Sequence, residues 1–283
     1  FLIGCAAATG WLAQLLGRDA ALGVGMVGLH PLFLWEYAAG GHNDTIMAAF
    51  GVLAVALFVV GSARGVAGGL LAAVASVLSK FAVAAAAPLL VVWWFPRLRP
   101  AAAVTTAAAT VGLVTFFVTV KTATGGPALS VSTPTVWGAL ADPLGGTDHM
   151  AEVFFFAFGL AASWLVLRHP LRTPAEFIHA AGLLLFLLVF ALPSYHPWYQ
   201  IWYFPFAALA FGASLRNAAL LFSLGAFVPL FAFHWRVPLE DTLRIPDPMH
   251  TFAVLLWGAG LVVLIAPWSR GGGSAPEAVS SGE

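Results

Sequence analysis

Between Val66 and Phe95 the chain reads VAGGLLAAVASVLSKFAVAAAAPLLVVWWF, thirty residues with one charge, Lys80. A straight crossing of a bilayer needs roughly 20 apolar residues. The stretch is therefore either one overlong span with a buried lysine or two shorter segments, about 66–79 and 81–95, meeting at Ser79-Lys80. That choice sets the direction of everything downstream.

Runs of the same kind recur at about 1–16, 20–35, 46–62, 102–120, 151–167, 177–193, 199–215, 217–233 and 250–267 of the 283 residues. Composition agrees: 61% of residues are apolar and 8% charged, with a mean hydropathy of +0.93. A soluble domain is about a quarter charged. Twelve Lys+Arg against twelve Asp+Glu can neither solvate a globule of this size nor build the basic field of a nucleic-acid binder. A single cysteine, Cys5, excludes a disulfide framework and a cysteine metal cluster. No repeat of solenoid length is present.

The expected fold is all-α, a polytopic membrane protein of about 10–11 transmembrane or re-entrant helices. Several runs are short and need other protein around them at membrane depth. Residues 1–268 form the membrane domain, and the Gly/Ser/Pro/Glu tail 269–283 reads as disordered and cytoplasmic. The chain opens Phe1-Leu2-Ile3, with no Met, basic n-region or cleavage site. It reads as the C-terminal portion of a longer protein whose N-terminal part is missing.

Charge decides between one span and two. With a break at Lys80, one set of loops holds Arg18, Arg64, Arg97, Arg99, Arg168, Arg172, Arg216 and Arg270, and the other holds Lys80, Lys121, Arg236 and Arg244. Eight basic residues against four place the first set in the cytoplasm. The acids run the opposite way, with Glu36, Asp44, Asp142, Asp148, Glu152, Glu240, Asp241 and Asp247 outside. Fusing 66–95 would turn Arg97 and Arg99 outward, so two segments are preferred.

The unusual residues then collect on the extracytoplasmic face. Densest is Glu36-Tyr37-Ala38-Ala39-Gly40-Gly41-His42-Asn43-Asp44, where Asn43 or Asp44 could cap a helix starting near Thr45. A capped re-entrant turn is the plain explanation. Ionisable groups near membrane depth are costly, however, and are functional candidates. Lys80 has no acidic neighbour in sequence; it reads as a snorkelling lysine and as a point charge for a phosphate, two roles that do not exclude each other. His196 lies between Pro193 and Pro197, ahead of Trp198, Tyr199, Trp202 and Tyr203. The prolines shape the chain around the imidazole, and aromatic faces suit sugars. An interfacial belt alone accounts for Trp202 and Tyr203. Asp142, Asp148 and His149 read as a solvated loop, the 234–249 loop as salt-bridged and interfacial, and His30 as a packed residue. No metal site is expected, and no hydrolase, zincin or nucleotide-binding signature occurs.

Leu29-His30-Pro31-Leu32-Phe33-Leu34-Trp35-Glu36, with Gly40-Gly41-His42-Asn43-Asp44-Thr45-Ile46-Met47, resembles a segment of the GT-C glycosyltransferases. The nearest likeness is to the actinobacterial polyprenol-phosphomannose-dependent α-1,6-mannopyranosyltransferases. Ser79-Lys80-Phe81 with Pro88 resembles that family's helix pair, and Tyr195-His196-Pro197-Trp198-Tyr199 with Trp202 its late motif. His30 stands where family members often carry Asn.

The resemblance implies transfer of a hexose, foremost mannose, from a polyprenyl monophosphate sugar to an extracytoplasmic glycan or lipoglycan acceptor at the plasma membrane, without a cofactor. It places the family's catalytic base in a loop upstream of Phe1, leaving Glu36 and Asp44 as the candidates within this chain. His42, Asn43, Asp44, Lys80, His196 and Tyr199 are the expected substrate-binding residues, with Lys80 or His42 toward the phosphate. The competing class is a secondary transporter or flippase of a lipid-linked glycan, which also uses broken helices with ionisable groups. Such a protein concentrates charge near the midplane, often in repeated halves. A polymerase or ligase of O-antigen type would favour an arginine-rich outer loop, and the 122–150 loop has no arginine.

Overall fold

The computed structural model describes residues 1–39, 42–124, 150–192, 196–210, 213–225 and 262–263. Every element among them is a helix. Asp142, Asp148, His149, the 234–249 loop and the 269–283 tail lie outside the described residues.

The decisive stretch is broken at its lysine. A helix over Ala63–Ser79 ends with Lys80 in an extended conformation, φ −165° and ψ 132°. A 3-10 segment, Phe81–Ala86, follows and passes into a helix over Ala87–Trp94. Pro88 sits in the first turn of that helix, where a missing N–H costs nothing. The run at 20–35 is less uniform than its hydropathy. Its helix stops at Gly28, His30 is extended ahead of Pro31 as pre-proline sterics favour, and a π-helical segment covers Leu34–Ala39. The run at 199–215 is likewise divided: a 3-10 segment, Pro197–Trp202, then a short helix, Phe204–Ala208, then a helix over 213–225.

The bundle has two chemically different ends. At one, Arg18 donates to the Leu209 and Ala210 carbonyls at 2.7 and 3.0 Å. Arg99 there donates to Leu167 and His169 carbonyls at 3.1 and 2.8 Å. Both arginines satisfy carbonyls that a helix C-terminus leaves open. The Pro174–Ala191 helix starts at the same end with a capping box between Thr173 and Glu176. The opposite end carries Glu36, Asp44, Lys80 and His196.

The Ala63–Ser79 helix turns Gly65, Gly69, Ala72 and Ser76 inward and leaves Leu70, Leu71, Val74, Val77 and Leu78 exposed. Small residues at the seam let helices approach closely: a Cβ on Gly69 would lie 2.8 Å from the Phe58 ring and 3.2 Å from the Ala54 carbonyl. By length and composition, one helix among the described residues could cross a membrane, Pro96–Phe116, 21 residues long. The other apolar helices, including Leu2–Leu15 and Asp44–Val60, have 10–17 residues. Phe33, Phe186, Tyr203, Phe204 and Phe222 fill the interior.

Candidate functional site

Asp44 is the centre of the polar end. It opens the Asp44–Val60 helix behind Asn43, which makes no side-chain cap. The expected capping role is therefore absent, and both side chains are turned elsewhere. Asn43 Nδ2 reaches the Ser79 carbonyl at 3.4 Å. The Asp44 carboxylate, 1% exposed, accepts two bonds on a single oxygen. Lys80 Nζ donates to Oδ1 at 2.8 Å, and Trp202 Nε1 donates to the same atom at 2.5 Å. Oδ2 has no hydrogen-bond partner among the described residues. The Lys80 ammonium also lies 4.4 Å from the Tyr199 ring centroid and 4.9 Å from that of Trp202, within cation–π range.

A second pair lies beside the first. His42 Nε2 is 3.5 Å from Glu36 Oε2. The His42 ring stacks on Trp198 at 4.0 Å and 14°, and His196 stacks on the same indole at 4.3 Å and 8°. Tyr37 donates its hydroxyl to the Trp198 carbonyl, pinning the start of the 3-10 segment to the π-helical one. Tyr199 and Trp202, one 3-10 turn apart, stack at 4.4 Å and 28° because residues at i and i+3 eclipse in that helix.

Three distant segments thus bring Glu36, His42, Asn43, Asp44, Lys80, His196 and Tyr199 into one cluster. Lys80 is paired with an acid 36 residues away, so it is not a lone snorkelling lysine. Trp202 and Tyr203 do not form an interfacial belt: they are 5% and 0% exposed, and the Tyr203 hydroxyl donates to Gln200 Oε1 at 3.2 Å. Sequence reading missed Tyr37 and gave Trp198 and Trp202 no polar role. A buried indole needs an acceptor for its N–H, which was the available signal. His30 packs between Phe33 and Phe204, each at 4.6 Å, with Nε2 2.9 Å from Ser223 Oγ. Gly40, Gly41 and Pro193 to Tyr195 lie outside the described residues. Among the described residues no three His, Cys, Asp or Glu side chains group as metal ligands.

Burial sets the protonation states. It pushes the Glu36 carboxyl above its ordinary value, with His42 opposing. It lowers the His196 imidazole below its ordinary 6.5, and the neighbouring Lys80 and His42 lower it further. His196 is neutral at pH 7. The unfolded chain therefore takes up this proton before the folded chain does, so stability falls as pH drops below 6.5. Thermal unfolding in detergent should show a shallower acid-side slope for His196→Gln than for wild type; identical slopes would remove this assignment.

No family model, curated protein or solved structure matches the chain.

Proposed function

We propose that this chain is the bilayer-embedded part of a polytopic GT-C-type glycosyltransferase of the plasma membrane. It moves a hexose, foremost mannose, from a polyprenyl monophosphate sugar to an extracytoplasmic glycan acceptor. The observation that carries the reading is the convergence of three segments, Glu36–Asp44, Ser79–Lys80 and His196–Trp202, on one cluster. These are the segments that bear the resemblance. Large apolar side chains outside and small ones at the helix seams support the bilayer as solvent. Arginines gathered at the end opposite the cluster support an outward-facing site.

The reaction is a displacement at the anomeric carbon. An acceptor hydroxyl oxygen forms the new C–O bond, the bond to the lipid phosphate breaks, and a carboxylate takes the hydroxyl proton. Asp44 and Glu36 are the carboxylates this chain can present. The test is the full-length protein in liposomes with radiolabelled polyprenyl-phosphate mannose and an oligomannoside acceptor. Label in the acceptor supports the transferase. Movement of the labelled lipid or glycan across the bilayer without transfer identifies the flippase or transporter instead.

A further inference from the structure

Two segments of the polar end are joined through a single indole. Trp198 carries two imidazoles: His42 stacks on it at 4.0 Å and 14°, and His196 at 4.3 Å and 8°. Parallel rings this close to one centroid would overlap on a single face, so they take opposite faces. His42 belongs to the connection ahead of the Asp44–Val60 helix, whereas His196 and Trp198 open the Pro197–Trp202 segment. The stack, with the Tyr37 bond to the Trp198 carbonyl, ties that segment to the Glu36–His42 side. At its far end the same segment delivers the Trp202 N–H to Asp44.

Both outer rings can take a proton, and what they meet differs. A charged His42 has Glu36 Oε2 3.5 Å away, and a cation over an indole face is attracted to it. A charged His196 meets the Lys80 ammonium and, across the indole, His42, with Asp44 opposing. Burial, Lys80 and His42 hold the His196 imidazole below its ordinary value. The other titratable groups facing the joint are the phenols of Tyr37 and Tyr199. The Pro174–Ala191 helix also packs against the segment, but its Glu176 and His179 lie in its first two turns, at the arginine-bearing end. Phe204–Ala208 and Pro31–Phe33 carry no ionisable side chain. A joint that resists a proton is weakened to the same extent when the proton binds. We infer that the His42–Trp198–His196 stack is an acid-sensitive latch: it holds Pro197–Trp202 in place while at most one imidazole is charged, and a second charge opens it and withdraws Trp202 from Asp44. The latch goes beyond the transferase reading, and its test needs no turnover.

The full-length protein is labelled with 5-fluorotryptophan and followed by fluorine NMR in detergent, the Trp198 and Trp202 signals being assigned from Trp198→Phe and Trp202→Phe. On acidification below about pH 6.5 both signals should move together while far-UV circular dichroism stays constant. His196→Gln should abolish the shared transition. In His42→Gln the Trp198 signal should still report His196, at a higher pH than in wild type. The Trp202 signal should then stay still, because a second imidazole charge can no longer form. Tyr37→Phe removes one tether, so the Trp202 signal should move at a higher pH; this variant carries the test if His196→Gln does not fold. The inference is overturned if Trp198 moves without Trp202 in wild type, since His196 then titrates without opening anything. A Trp202 transition that survives His196→Gln or His42→Gln unchanged overturns it too, as does one that Tyr37→Phe leaves in place. Loss of the helical signal at the same pH marks unfolding and overturns it as well.

Discussion

Asp44→Ala should cost roughly 3 kcal/mol of stability and, on the proposed transferase reading, depress mannosyl transfer by about two orders of magnitude. The stability loss follows from what is stranded. Lys80 keeps its charge beside two aromatic rings, and the Trp202 N–H loses its acceptor in a residue only 5% exposed. Severing a buried pair costs about 3–5 kcal/mol. The lower end applies here because a quarter of the Lys80 side chain remains exposed. Removing both charges should behave differently. Asp44→Leu combined with Lys80→Met deletes the stranded charge together with its partner, and such replacements are often neutral or stabilising. Thermal unfolding of Asp44→Leu, Lys80→Met and the double variant gives the coupling. The double variant should recover the part of the loss that the stranded Lys80 charge causes, keep the part due to the Trp202 N–H, which still lacks its acceptor, and recover none of the transfer. Recovery of transfer in the double variant would show that Asp44 has only a structural role.

Charge scarcity made part of this architecture legible in the sequence. With so few ionisable residues, the parity of Arg97 and Arg99 was enough to place a break at Lys80, and the helix does end at Ser79. The same parity grouped Glu36, Asp44, Lys80 and His196 on one face, and they meet at one end of the bundle. Their partners were not legible. Lys80 finds Asp44 across 36 residues and Trp202 finds it across 158, distances at which sequence pattern carries no pairing information. Trp202 was read as a belt residue because hydropathy records that a ring is apolar and ignores where its N–H must go. The division of 20–35 was signalled by Pro31, but a π-helical segment such as Leu34–Ala39 has no compositional mark. Small residues were visible as Gly and Ala in the runs; which of them face a neighbouring helix depended on the rotation of each helix.

Gly159→Leu should destabilise the bundle by about 3 kcal/mol or more, at or beyond the upper end for overpacking, although it removes no polar contact. Gly159 lies on the Met150–Arg168 helix against the Arg99–Thr124 helix, where a Cβ would come within 2.2 Å of Thr110 Cγ2 and 2.6 Å of Thr110 Cβ. The Thr110 hydroxyl is itself committed to the Thr106 carbonyl at 2.9 Å. Rotating the threonine would break that bond and still leave its Cβ, fixed by the backbone, in the way. The two helices must separate, and with them goes the close approach that the missing side chain of Gly159 allows. Thr110→Ala alone should be mild, because it removes one self-satisfied hydroxyl and a methyl. Combined with Gly159→Ala it should relieve the Cγ2 and Oγ1 conflicts, leaving a cost well below that of Gly159→Leu. Thermal unfolding of Gly159→Ala with and without Thr110→Ala measures this relief. If Thr110→Ala gives the same change in both backgrounds, the two side chains are not in contact and the seam lies elsewhere.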